Sequence, residues 1–219
     1  MNTENLSDRR RRTRSTLVEA GVSVFAVKGI EGASIEEICE AGGLTRGAFY
    51  SNFSSRDDLV LATIEIRTAE TLDRLDATIQ RWKEQLDDTD AGEIRPLLTQ
   101  FIEEIFTEKL LTAADAIAEQ EITLYCLRVP ELYVRYQELD ARRLERLARL
   151  VQTAIDNVHA VPTVPLDSLL TILISLFTHL SLESAAGLDL HETVDIDPSL
   201  IVEVLLRFLD FDGRECPRA

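Results

Sequence analysis

Gly42 and Gly43 constrain this chain more than any other feature, because they join two short segments that must fold against one another or not at all. Ser34, with Glu37 three residues on, forms a capping box in which each side chain satisfies a backbone N–H that a helix start leaves unpaired. Thr45 is the natural N-cap of the next segment, which carries Gly47, Ala48, Phe49, Tyr50 and Phe53. Glycine tolerates positive φ and close backbone approach, so the two helices meet steeply, with Ile38, Leu44 and Phe49 placed to seal the crossing. The spacing predicts a helix-turn-helix. Such a unit sets the start of its second helix in the DNA major groove, where Thr45, Arg46, Gly47 and Ala48 meet base edges and phosphates. Small residues at 47 and 48 allow close approach, and Arg46 offers a bidentate fork to guanine or a partner for phosphate.

Elsewhere the periodicity is helical nearly throughout, which predicts an all-α chain of about nine helices. The first runs from an arginine cluster to Lys28 and stops at Gly29. Ser55 with Asp58 opens a long helix whose stripe includes Leu59, Ile66, Leu72, Leu75, Ile79, Trp82 and Leu86, ended by the stretch from Asp87 to Gly92. Further helices are expected over 94–106, 113–127, from Pro130 to the Pro162/Pro165 loop, over 167–186 and over 199–210. The last two are apolar on more than one face, and such helices must be covered on all sides. The near-apolar window from Leu169 to Leu182 is read as too short for a membrane span and is interrupted by polar residues such as Thr171 and His179. With the polar start from Met1 to Asp8, the expectation is a cytoplasmic protein with no membrane partner.

Charge divides the chain unevenly. Of the formal net charge of −16, residues 1–67 carry only −1, and the remaining −15 falls on residues 68–219. A uniformly basic coat is therefore excluded, yet five of the six positions from Arg9 to Arg14 are arginine, a local positive field on a nearly neutral module. Three widely spaced cysteines, Cys39, Cys126 and Cys216, exclude a disulfide scaffold.

These features together resemble the TetR family of bacterial transcriptional regulators. The resemblance lies in the arginines at the first helix start, then Ala20, Phe25, Gly29, the run from Ser34 to Phe53, and the closing Ser55-Arg56-Asp57-Asp58-Leu59. It covers about the first quarter of the chain, and its specificity comes from capping box, glycine turn, Gly-x-x-Tyr and Phe-x-Ser-Arg occurring together. Cys39 stands where the family usually has alanine, and Asn52 where it often has histidine.

The resemblance implies an N-terminal DNA-binding domain over 1–55 and a larger helical effector-binding and dimerisation domain over 56–219. It implies that Ser34 binds phosphate, that Thr45, Arg46 and Gly47 read the groove, that Tyr50 and Asn52 contact the backbone, and that Arg56 grips a phosphate. It further implies a near-palindromic duplex operator, a small-molecule effector and a homodimer formed through the last two long helices. Taken singly, Tyr50 reads equally as core, Arg46 as a solvated charge and the arginine cluster as a tail; their joint spacing favours DNA. Trp82, Phe101, Phe106, Tyr125, Tyr136 and Phe177 are the aromatic candidates for an effector pocket. Carboxylates such as Glu103, Glu104, Glu119, Glu121 and Glu183 would favour a cationic or amphipathic lipophilic ligand.

No HExxH, GxSxG, P-loop or dinucleotide fingerprint occurs, so no enzymatic activity and no cofactor or metal are expected. The expected function is a ligand-responsive transcriptional regulator, a repressor released from its operator by a small lipophilic effector. The rival readings are a helical adaptor or carrier that has lost DNA contact, and a helical enzyme working through the cluster at Asp87.

Overall fold

The computed structural model describes residues 3–87, 94–108 and 111–211, leaving out the side chains of 3–7, 84–87, 94–95 and 106–108. Nine helices are found among the described residues: α1 (Thr3–Gly32), α2 (Ile35–Ala41), α3 (Arg46–Tyr50), α4 (Arg56–Asp87), α5 (Ile94–Glu108), α6 (Ala113–Arg128), α7 (Pro130–Asn157), α8 (Leu166–Ala185) and α9 (Ser199–Phe208). One small ladder accompanies them, β1 (Val161–Pro162) paired antiparallel with β2 (Leu209–Asp210), with Val161 opposite Asp210 and Pro162 opposite Leu209. The all-α expectation holds apart from this pair. It also explains why α9 stops at Phe208 and not at Asp210: Leu209 turns to extended backbone to meet β1. At the other end, α1 begins upstream of the arginine cluster, and Gly29 breaks it with φ of +67°, a left-handed conformation open to glycine. Asp88, Thr89, Asp90 and Cys216 lie outside the described residues, as do the side chains of Leu86, Asp87, Ile94 and Phe106.

The chain divides into two compact units: residues 1–69, 112–141 and 187–192, and residues 70–111, 142–186 and 193–219. In the first, α1 packs on α2 and α6, and α2 on α3. Its core gathers Leu17, Val18 and Phe25 of α1, Ile38 of α2, Phe49 of α3, Phe53, Leu59 and Val60, with Ile122 and Cys126 of α6. Burial drives the Cys126 thiol up to about 11, which keeps it protonated and unreactive. Thr112 and Asp115 cap α6 reciprocally, and Arg67 pairs with that same Asp115, so the start of α6 is tied to α4. Two more N–H groups of that start, of Ala113 and Ala114, donate at 3.0 Å to the carbonyls of Glu192 and Leu190 in the segment before α9.

The second unit has its own core, built on Ile79, Leu98, Phe101, Ile102, Ile155, Leu169, Ile201, Val202 and Phe211, with α9 packed on α5 and α8. Only Leu169, Leu170, Ser181 and Ala185 of α8 are buried, while Ile172, Leu182 and, on α9, Leu200 are exposed apolar side chains. One sequence reading is corrected here. Helix α8 extends beyond the 169–182 window at both ends, and its 20 residues are long and apolar enough, by length and composition alone, to cross a bilayer.

Candidate nucleic-acid interface

The helix-turn-helix is assembled by local chemistry. The Glu37 amide donates to Ser34 Oγ at 3.2 Å, and the Ser34 amide and hydroxyl donate to Glu37 Oε2 at 3.0 and 2.9 Å. Lys28 pairs with the same carboxylate; that contact first, and Ser34 second, holds the Glu37 carboxyl down to about 2 from its ordinary 4.5. A depressed carboxylate stabilises the fold fully above its ordinary value and loses that contribution as pH falls through the native one. Acid should therefore loosen α2 between about pH 4.5 and pH 2, and Glu37→Gln should flatten that limb of a stability-against-pH curve measured by circular dichroism. A variant with an unchanged acid limb would show that the cap contributes nothing.

The two turn glycines serve different needs. Gly43 sits at φ of +61° with open space around it, so conformation alone demands glycine there. Gly42 is ordinary right-handed backbone, but a Cβ on it would lie 3.3 Å from Ala20 Cβ, so close packing on α1 is what restricts it. Gly47 has neither constraint: its nearest neighbour would be Thr45 Oγ1 at 3.7 Å, an ordinary contact. Nothing inside the chain requires glycine at 47, and the vacant surface it leaves faces solvent.

Thr45 caps α3 by accepting from the Ala48 amide at 3.2 Å. With Phe49 fully buried, its neighbours Thr45, Arg46 and Gly47 are exposed and Tyr50 is 50 % exposed. Phe49 meets Tyr50 edge-on at 5.4 Å between centroids and Phe53 at 5.8 Å, so a packed aromatic base carries the outward residues. The Arg46 guanidinium lies 5.9 Å from the Tyr50 ring centroid and forms an ion pair with Glu36, a residue the sequence reading passes over. Tyr50 first and Glu36 second raise the Arg46 pKa further. Nothing in the local pattern singles Glu36 out, because its partner is on another helix.

Three expected contact residues are turned inward or engaged. Ser34 is half-buried and spends its hydroxyl proton on Glu37. Asn52 directs its side-chain amide N–H to the Ala48 carbonyl at 2.8 Å, closing α3, and its main-chain carbonyl accepts from Arg14, whose guanidinium stacks 4.5 Å from the Phe53 ring. Arg56 donates to the carbonyls of Glu31 and Ala33 at 3.1 and 3.0 Å, fastening the end of α1 to the start of α4 instead of reaching outward. The outward set is therefore Thr45, Arg46, Gly47 and Tyr50, with Glu36 added and the exposed Arg9 to Arg12 on α1.

The aromatic candidates for the effector are divided between the two units. Tyr125 belongs to the first unit, where its hydroxyl donates to Asp57 at 2.8 Å; burial first and that bond second raise its pKa. Tyr136 also packs on the first core. Trp82 and Phe101 lie in the second unit, edge-on at 5.9 Å, with the Trp82 indole N–H bonded to Glu104; Phe177 is half-buried on α8, and the Phe106 side chain is outside the described residues. Glu104 also pairs with Arg81, which, with Trp82 next, lowers its pKa, so its charge is already answered.

Comparison with known proteins agrees with this geometry. Residues 17–63 match the family model described as bacterial regulatory proteins, tetR family. The uncharacterized HTH-type transcriptional regulator YfiR of Bacillus subtilis is 27% identical over 159 residues, 71% of this chain and 72% of that protein. The HTH-type transcriptional regulator TtgR of Pseudomonas putida is 34% identical over 102 residues, 46% of this chain but only 44% of that protein. The fold is similar to that of the regulator FadR from Bacillus subtilis, solved in complex with stearoyl-CoA: TM-score 0.60 at 17% identity, covering 88% of this chain and 96% of that one. With the capped helix pair, its exposed edge and the match spanning both, residues 17–63 form a helix-turn-helix similar to that of the bacterial regulatory proteins of the tetR family, and the chain is similar to HTH-type transcriptional regulators.

Proposed function

We propose that the protein is a homodimeric repressor that leaves its operator when a small lipophilic molecule binds. Residues 1–55 act as the DNA-binding domain and 56–219 as the effector-binding and dimerisation domain. The observation that carries the DNA half is the exposure of Thr45, Arg46, Gly47 and Tyr50 above a fully buried Phe49, since residues kept for packing would point the other way. Two reading helices in a twofold dimer would meet half-sites of a near-palindrome ~34–36 Å apart. The exposed apolar side chains Ile172, Leu182 and Leu200 support pairing through α8 and α9, because covering them removes apolar surface from water.

The effector half rests on Trp82 and Phe101, with Phe106 and Phe177 as further candidates on the same unit. Tyr125 and Tyr136 are left out of this set because they pack on the other core. A lipophilic ligand is favoured over a cation because Arg81 already neutralises Glu104 beside Trp82. The FadR structure with stearoyl-CoA shows that a similar fold accepts an amphipathic lipid-like ligand. Binding that favours a dimer spacing unsuited to DNA must weaken operator affinity by the coupling free energy, and DNA must weaken ligand binding equally.

Trp82 is the chain's single tryptophan, so its fluorescence reports on this region alone. Titration with stearoyl-CoA and with the lipophilic cation tetraphenylphosphonium should quench or shift that emission for the first and not the second. The same stearoyl-CoA should lower affinity for the duplex just upstream of the protein's own gene, measured by anisotropy at fixed salt. A compound that alters Trp82 emission yet leaves DNA affinity unchanged would overturn the coupling.

A further inference from the structure

We propose that Glu36 is a specificity-determining residue of the reading surface, presetting the direction of Arg46 and holding a carboxylate beside it that only an amino-bearing base edge can satisfy. The inference rests on the DNA-binding reading above. Its starting point is that Glu36 lies outside both the cap and the buried face of α2: the cap is made by Ser34 and Glu37, and the buried side chains of that helix are Ile38 and Cys39. What Glu36 does instead is pair with Arg46, the first residue of the reading helix, across the turn.

Both partners stand in water, the Arg46 side chain 59% exposed and that of Glu36 55%. Exposed pairs of this kind contribute little to stability, so the consequence of the contact is geometric. The guanidinium is restrained by the Glu36 carboxylate and by the Tyr50 ring 5.9 Å away. A long side chain held by two neighbours has fewer rotamers to lose on docking, which favours the one base edge it already faces.

The carboxylate adds a rule of exclusion. In the major groove it can accept from the amino group of cytosine or adenine, whereas the acceptor edge of guanine, the thymine carbonyl and every phosphate repel it. On mismatched DNA, Arg46 must either abandon Glu36 for a phosphate, leaving a carboxylate unpaired near the backbone, or stay paired and make no contact. Non-cognate binding is penalised in both cases. An arginine without this neighbour would settle on any phosphate and add to affinity without discriminating.

The test uses the full chain as wild type, Glu36→Ala, Glu36→Gln, Arg46→Ala and the Arg46→Ala/Glu36→Ala double variant. Each selects from a random-sequence duplex pool, and each is titrated against one fixed mixed-sequence duplex over a range of salt. Wild type should enrich a defined motif. Glu36→Ala should degrade that motif at the base pairs that Arg46→Ala also erases, and should bind the mixed duplex about three- to ten-fold tighter with a salt slope steeper by about 0.9. Glu36→Gln, which keeps the shape and loses the charge, should reproduce the tighter non-specific binding. In the Arg46→Ala background the Glu36 substitution should leave the selected motif unchanged except at a cytosine or adenine beside the base pairs that Arg46→Ala erases. Wild-type motifs and unaltered mixed-duplex affinity from both Glu36 variants would overturn the inference while leaving the DNA-binding reading intact. So would degradation confined to base pairs that Arg46→Ala leaves alone. Failure of wild type to enrich any motif would overturn the DNA-binding reading, and the role of Glu36 with it.

Discussion

Truncating Phe49 to alanine lowers the stability of the first unit by about 3–5 kcal/mol, the range for removing a buried phenylalanine ring from a packed core. The magnitude follows from position: the ring is fully buried, meets Tyr50 and Phe53 directly, and belongs to the cluster that joins α1, α2 and α4. A helix of five residues has almost no stability of its own, so α3 persists only while Phe49 anchors it. Urea unfolding followed by circular dichroism should show the early part of the transition moving to lower denaturant, with DNA binding lost alongside it. A shift worth less than about 1 kcal/mol would mean that the ring is not what holds the reading helix.

Arg46→Ala is the complementary experiment. Because the side chain is exposed and the Thr45 cap does not involve it, unfolding should be unchanged, while affinity for the operator falls on the order of ten- to a hundred-fold. The two variants separate carriage from contact. One loses binding by losing the platform, the other by losing a donor fork from an intact platform. Gel shift on the duplex upstream of the protein's own gene measures the second; equal affinity for wild type and Arg46→Ala would remove the guanine-reading role.

What the sequence reveals follows the range of the forces involved. The capped pair α2 and α3 is readable because Ser34 with Glu37 and Thr45 with Ala48 act within three residues, where spacing alone states the contact. The long helices are readable because burial repeats along one face. Their ends are less so: α9 stops at Phe208 because of pairing with residues 161–162, which no local pattern announces. Among the site residues, Arg46 is legible as a charged residue directly after the Thr45 cap, whereas Tyr50 reads equally as core until its 50 % exposure is seen. The contacts of Arg56 and Tyr125 are not legible, since their partners lie 23 to 25 and 68 residues away. Glu36 is hidden for the same reason: an acidic residue near a helix start looks like dipole complementarity until its partner is seen across the turn.

The strap that completes the start of α6 is written in peptide groups, because Ala113 and Ala114 donate to main-chain oxygens of Glu192 and Leu190. Side chains along it are therefore interchangeable so far as that bond pair is concerned, and His191 between them is exposed. With Cys216 replaced by serine, a cysteine introduced at 191 could bear a spin label that rides on the head of α6 without loosening it, while Cys39 and Cys126 stay shielded from the labelling reagent by burial. Inserting a residue into the same strap would be a different matter, since it would slide both acceptors out of reach of their donors.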